Sequence, residues 1–540
     1  LSESNAALPQ PKRGHPPGLY VLFFAEMWER FCYYGMRTLL IFYLTQDLLF
    51  ADKPAYGIYG AYTALVYAAP VLGGKLADEL LGYRRAVVMG GILMAIGEFM
   101  LVGNDSFSGN ALLYLGMGTI IVGNGYFKAN ISSIVGKLYG EGDPRRDSGF
   151  TIFYMGINIG AWLATAVCGY VGATYGYKWG FALAGIGMII GILVFLAGRG
   201  KLEDLGHPPD VERLHERVFG PLSRWHVTVL ASLGIIPVLY FLITSEGAVA
   251  AASDGASGWV AGVAWVQQTI LFGMSFVDVL LGGTMLIVVA NLLRGAIEAG
   301  KVAPPEKRTV QRDRMVVLFI LMAFNIMFWA LFEQAGTSLS LFAERAVDRN
   351  IELIGWEMPA AMTQNFNPSF IIIFGSLFSW LWVQLDKRGL NPSIPLKFAF
   401  ALIQLGAGYL LLVAGASVAG ADFKVPLAFL FFMYLLHTTG ELCISPIGLS
   451  MVTKLAPAKL TGTVMGAWFL SFAIANKVAA GLAKLTGAEE GAGENVEMAA
   501  EEVLNTYVGT YQNFGLVIIG FGVLLILLAR WLNKMMHGVK

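Results

Sequence analysis

The stretch Glu26-Met27-Trp28-Glu29-Arg30-Phe31-Cys32-Tyr33-Tyr34-Gly35-Met36-Arg37 interrupts an otherwise apolar run. Its polar positions are 26, 29, 30, 33, 34 and 37. On a helix these spacings share one face. At about 1.5 Å per residue the stripe runs about 16 Å along the axis. Facing lipid, each central charge would cost about 2.5–3.5 kcal/mol, and four would abolish insertion. A helix of this kind therefore turns its stripe toward a polar or water-filled interior.

The rest of the sequence puts that helix in a membrane. Of 540 residues, 56% are hydrophobic and only 14% charged, against about 25% charged in soluble domains. That excludes a disordered chain, a nucleic-acid-binding domain and an ordinary soluble enzyme. Glycine (65) and tryptophan (12) are plentiful, as in packed membrane helices and their interfaces. Apolar runs of spanning length predict about fourteen helices, near 19–50, 56–81, 84–104, 110–139, 149–173 and 178–198, then 225–246 and 258–294. Six more follow near 313–345, 360–386, 392–416, 424–455, 460–484 and 504–535, each satisfying the need for about 20 apolar residues.

Lysines and arginines crowd alternate loops by roughly four to one, which predicts both termini on the cytoplasmic side. No cleavable signal is expected at the N-terminus. The loop Gly74-Lys75-Leu76-Ala77-Asp78-Glu79-Leu80-Leu81-Gly82-Tyr83-Arg84-Arg85 has a weaker echo in Asp386-Lys387-Arg388-Gly389. A duplicated six-helix unit with a two-helix insert explains that layout. The expected division is 1–18 as a tail, 19–200 and 313–540 as six-helix bundles, and 201–312 as a linker with two inserted helices.

Three more charges lie at membrane depth: Lys128 in the fourth span, Glu333 in the seventh core span and Glu441 in the tenth. Two bases (Arg37, Lys128) in the first half and two acids (Glu333, Glu441) in the second permit ion pairs between halves. A carboxylate whose cationic partner moves away becomes easier to protonate, the physical basis for coupling proton movement to a conformational change. Three cysteines, Cys32, Cys168 and Cys443, are expected as apolar packing residues. His437 is expected as a hydrogen-bonded core histidine, and Lys477 and Asp278 as snorkelling or locally paired groups. Glu98 has no evident role.

Glu26-x-x-Glu29-Arg30-Phe31-x-Tyr33-Tyr34-Gly35 resembles the signature of proton-coupled oligopeptide transporters, within the major facilitator superfamily. Phe153-Tyr154-Met155-Gly156-Ile157-Asn158-Ile159-Gly160, Phe127-Lys128-x-Asn130, Glu333-Gln334, Asn367-Pro368 and Gly440-Glu441-Leu442-x-x-Ser445-Pro446 are similar to further family motifs. The resemblance implies an all-α membrane protein of two six-helix bundles plus two inserted helices, importing di- and tripeptides with protons by alternating access. It implies a bacterial cytoplasmic membrane, no cofactor beyond the proton gradient, and no nucleic-acid partner.

Position by position, the resemblance implies that Glu26, Glu29 and Arg30 are proton-linked, with Glu333. Arg37 and Lys128 would hold a peptide carboxylate and Glu441 the ammonium. Tyr33, Tyr34, Tyr67, Asn158, Asn367 and Ser445 would contact the peptide, and Trp329 and Trp468 would line side-chain pockets. Arg37–Glu333 and Lys128–Glu441 would pair as gates on the outer side. Two departures stand out: Ala129 where the family often has proline, and Gly60 where mammalian relatives carry histidine. Another small solute on the same fold is the alternative. An intramembrane enzyme is disfavoured because neither His-Glu-x-x-His nor Gly-x-Ser-x-Gly occurs. A channel is disfavoured by the half-to-half charges.

Overall fold

The computed structural model describes residues 14–487 and 499–539, apart from 107, 141–142, 144, 254, 303–304 and 458–459. Fourteen long helices dominate the described residues. The first six are α1 (Pro17–Phe42), α2 (Asp52–Leu76), α3 (Tyr83–Val102), α4 (Ala111–Lys137), α5 (Arg146–Tyr175) and α6 (Tyr177–Gly198). Two follow, α7 (Arg224–Thr244) and α8 (Phe276–Val302). The last six are α9 (Pro305–Phe332), α10 (Phe366–Lys387), α11 (Ile394–Ala416), α12 (Leu427–Leu455), α13 (Thr461–Ala483) and α14 (Ala500–Met535).

Eleven segments are long and apolar enough to cross a membrane by length and composition. The helices outside that set are α1, α2 and α4. They carry the charged stripe, Tyr67 and Lys128, so the least lipid-compatible helices are those that build the polar interior. The fold is that of an all-α, multi-pass membrane protein.

Two bundles face each other. In the first, α1 packs on α5 and α6, and α3 on α4 and α6; in the second, α11 packs on α12 and α14. They meet along α2 against α13 and α5 against α10. The inserted helices are shared between them: α7 lies on α4, while α8 lies on α13 and α9.

The two bundles close tightly at the face holding the α1–α2 loop, opposite the face that carries the start of α1 and the end of α14. There a Cβ added to Gly60 of α2 would come 2.2 Å from the Ala480 Cβ of α13, and one on Gly336 would meet the Tyr59 hydroxyl at 1.8 Å. Only glycine allows these backbone approaches. Arg345 forks onto Asp52 at 2.6 and 2.8 Å across the same face, and the Thr165 hydroxyl donates to Asn365 Oδ1 at 2.9 Å.

Two expected spans are broken. The segment expected as one helix over 258–294 is a short helix, Trp259–Trp265, with a π-turn, then an irregular stretch before α8. Phe272 and Gly273 both have positive φ (53° and 83°), incompatible with a continuous right-handed helix. The restart is capped: the Ser275 N–H donates to Asp278 Oδ2 at 2.8 Å and the Asp278 N–H to Ser275 Oγ at 3.2 Å, a capping-box exchange. The segment expected over 313–345 turns 3₁₀ at Glu333–Gly336 before a second helix, Ser338–Arg345. This sets Glu333 at a helix end. By contrast α4 continues through Ala129 without interruption.

Candidate functional site

The polar face of α1 points inward, and the chain neutralises it locally. Arg30 grips Glu29 with two parallel bonds, Nε to Oε2 at 2.5 Å and Nη2 to Oε1 at 2.6 Å. Bidentate forks of this kind are the strong ion pairs. Asn124 Nδ2 adds a third bond to Glu29 at 3.0 Å, and Glu26 lies 3.4 Å from Arg30 Nε, one turn away. Glu29 is wholly buried. Glu26 Oε2 is buried without a hydrogen-bond partner. Below the fork, the Arg30 guanidinium stands 5.1 Å from the Tyr33 ring centroid.

Two helical turns beyond Arg30, Arg37 reaches the second bundle. Its guanidinium is ion-paired with the Glu333 carboxylate, and its Nε donates to the Tyr59 hydroxyl at 2.8 Å. The 3₁₀ break holding Glu333 and the close contact of Tyr59 with Gly336 fix both partners. The expected Arg37–Glu333 ion pair is thus formed in this conformation.

The expected Lys128–Glu441 pair is not formed. Lys128 Nζ lies 4.1 Å above the Tyr67 ring, and its charged neighbours are Arg30, Glu29, Glu26 and Arg37. Glu441 accepts instead from Asn367 Nδ2 at 2.8 Å, and that amide also donates to Thr438 Oγ1 at 3.0 Å. The face this pair is expected to close is shut without it: Asn367 holds Glu441 within the second bundle, and Lys128 keeps to the Tyr67 ring and the α1 carboxylates of the first.

Aromatic rings join the two bundles between these charges. Tyr67 stacks on Phe472 of α13 (6.2 Å, 17°), which also meets Trp329 at 5.1 Å and Trp468 at 6.2 Å. The indole nitrogens of Trp329 and Trp468 are buried and unpartnered. Lys128, Tyr67, Phe472 and Trp329 therefore form one continuous chain of ring contacts from α4 to α9.

The other singled-out residues fall in different places. Tyr34 is half-buried and sees both Arg37 and Glu441. Asn158 spends its amide on the Tyr154 carbonyl of its own helix at 3.0 Å, and Ser445 is half-buried on α12. Tyr33 is fully buried beneath the Arg30 guanidinium, with its hydroxyl unpartnered. His437 Nε2 donates to the Leu405 carbonyl at 3.0 Å inside the core. All three cysteines are buried and free. Glu98 is fully buried, with Cys32 Sγ at 3.5 Å and one oxygen unpartnered.

Several site residues carried no signal in the sequence. Asn124 sits in a glycine-rich stretch that read as helix packing. Tyr59 and Thr438 are ordinary polar residues of apolar spans, and Phe472 is one of 35 phenylalanines. Among the described residues, no group of three His, Cys, Asp or Glu side chains could hold a metal ion.

Two helical bundles, joined across a seam of buried charges and glycine contacts, make a membrane transporter. The comparisons with known proteins agree. The POT family model matches residues 84–231 and 284–498, and the chain belongs to the POT family. It is 35% identical over 535 residues to the uncharacterized transporter YclF of Bacillus subtilis (97% of this chain, 96% of that protein). It is 31% identical over 533 residues to dipeptide and tripeptide permease B of Salmonella typhimurium, covering 99% of each. A crystal structure of a mutant peptide transporter POT with alafosfalin superposes with a TM-score of 0.74 at 32% identity, covering 98% of both chains. The protein is a transporter, not an enzyme.

Proposed function

We propose that the protein imports di- and tripeptides together with protons by alternating access between its two bundles. It would sit in a bacterial cytoplasmic membrane with both termini in the cytoplasm, so the α1–α2 loop face is external and the conformation described is closed outside. The observation that carries the substrate reading is the opposition of charges across the seam. Arg37 and Lys128 stand on the first bundle, and the Glu441 carboxylate, held by a single amide, on the second. A zwitterionic peptide needs one cation and one anion at a fixed separation, while the aromatic stack accepts varied side chains. The names of the Salmonella permease and the solved peptide transporter point the same way.

The residues suggest how protons enter. Glu29 holds three hydrogen bonds, two of them from Arg30. A proton on Glu29 or Glu26 would cancel the charge that restrains Arg30 and so change the field at Lys128. The peptide carboxylate would then bind Arg37 and Lys128 in place of Glu333, releasing the outer ion pair. Departure of the proton would restore the Arg30 fork and weaken peptide binding.

The test is binding of dialanine and N-acetyl-dialanine to the purified protein and to Glu441→Ala. Preference for the free amine that disappears in the variant supports the reading. Equal binding of both peptides by the parent protein overturns the ammonium site.

A further inference from the structure

We infer that the inserted helices form a third cross-bundle latch, in which Glu246 at the end of α7 holds Lys477 of α13 and favours the externally closed conformation. The inference rests on the alternating-access reading for its functional meaning.

Glu246 belongs structurally to the first bundle. Its helix α7 is pinned to α4 by the Tyr126 hydroxyl and Ser232 Oγ at 2.7 Å. A Cβ added to Gly57 of α2 would lie 3.4 Å from both Cβ and Oε2 of Glu246, so this side chain rests on the α2 backbone. Gln267 Nε2 anchors the same turn by donating to the Ser245 carbonyl at 3.0 Å. Lys477 belongs to the second bundle, one turn before Ala480, the residue that Gly60 of α2 must approach for the external face to close.

The ion pair spans that closing seam. Lys477 Nζ is 2.6 Å from Glu246 Oε1 and 3.8 Å from Asp278 Oδ1. The Glu246 carboxylate is 2% exposed and the Lys477 side chain 10%, whereas Asp278 is 35% exposed. Asp278 also caps α8, which packs on α13 and α9. α8 thus travels with Lys477, and α7 with α2. If α13 parts from α2, the Glu246–Lys477 contact must part with it, while Asp278 stays beside Lys477 as a waiting counter-ion. Opening gives up the attraction of two charges held close in a site of low dielectric, so the pair resists opening, and Asp278, which stays beside Lys477, lessens that resistance.

The experiment measures distances in the full chain, in lipid nanodiscs, between spin labels at Tyr175→Cys and Leu353→Cys, exposed positions on either bundle. Glu333→Gln serves as the control for external opening. Glu246→Gln and Lys477→Gln are each expected to raise the externally open fraction about tenfold. The exchange Glu246→Lys with Lys477→Glu is expected to return most of that shift. Asp278→Asn is expected to move the distribution toward closed or leave it unchanged. Singles that lower thermal stability without shifting the distances, while Glu333→Gln does shift them, overturn the latch. A distribution moved by none of these variants overturns the latch and the alternating-access reading together. If Lys477→Gln fails to fold, Glu246→Gln and Glu246→Ala decide the matter, because the carboxylate is the half contributed by the insert.

Discussion

Replacing Glu333 with glutamine removes one charge from the pair that closes the external face and keeps the side chain's shape. The two side chains are only 8% and 6% exposed. Breaking a buried pair by removing one partner typically costs about 3–5 kcal/mol, because the other charge stays desolvated. Arg37 retains the Tyr59 hydroxyl at 2.8 Å, and the new amide oxygen still accepts one bond, which together offset about 1–2 kcal/mol. Once the face opens, water reaches Arg37 and the penalty vanishes, so the cost falls on the closed conformer alone. A net loss of about 2 kcal/mol corresponds to about a 30-fold shift toward the externally open form. The assay is the spin-label distance between positions 175 and 353 in nanodiscs, with Arg37→Gln measured in parallel. Both variants are expected to shift the same way. A change below about threefold would show that Arg37–Glu333 is a bystander and that glycine packing at Gly60 and Gly336 holds the face shut.

Other outcomes follow from the same geometry. Glu29→Gln is expected to abolish proton-driven uptake while sparing peptide counterflow; loss of both would mark a structural role. Asn124→Ala removes one of three bonds to Glu29 and is expected to cost about 1–3 kcal/mol of stability, read as a fall in melting temperature. Glu441→Ala should weaken peptides with a free amino terminus by about tenfold to a hundredfold, one charge-assisted bond of about 1.5–3 kcal/mol, and leave acetylated peptides unaffected. Gly60→Leu places a side chain where Ala480 already sits; it is expected to block external closure and stall transport without preventing membrane insertion.

The sequence is most informative where membrane physics leaves few choices. Four charges on one face of a spanning helix admit only an interior location, and Glu29, Arg30 and Arg37 are buried accordingly. The helix ends near 102, 137, 198, 416 and 483 follow from hydropathy for the same reason, whereas the first span, expected to reach 50, ends at Phe42 in a π-turn. The break around Phe272 and Gly273 was invisible because the residues on either side are as apolar as a continuous span. It is a backbone event, and only a capping pair, Ser275 and Asp278, hinted at it. Lys128 and Glu441 show a different limit. Charge and depth make both pairs candidates for the outer face, yet with the α1–α2 loop face shut Arg37–Glu333 is engaged and Lys128–Glu441 is not, because Asn367, which no charge pattern singles out, holds Glu441. Asn124, Tyr59 and Phe472 act through where their neighbours lie, and neither spacing nor charge sets them apart. Lys477, expected to snorkel or pair locally, instead meets Glu246, 231 positions away by number, a partner evident only once α7 and α13 met.

The most direct test of proton-coupled peptide import is accumulation of labelled dialanine in proteoliposomes, with and without an inward proton gradient. Accumulation above the external concentration is expected with the gradient, collapsing when a protonophore is added and absent in Glu29→Gln. Only downhill equilibration, unaffected by the gradient, would contradict the proposal and move the search to another small solute on the same fold.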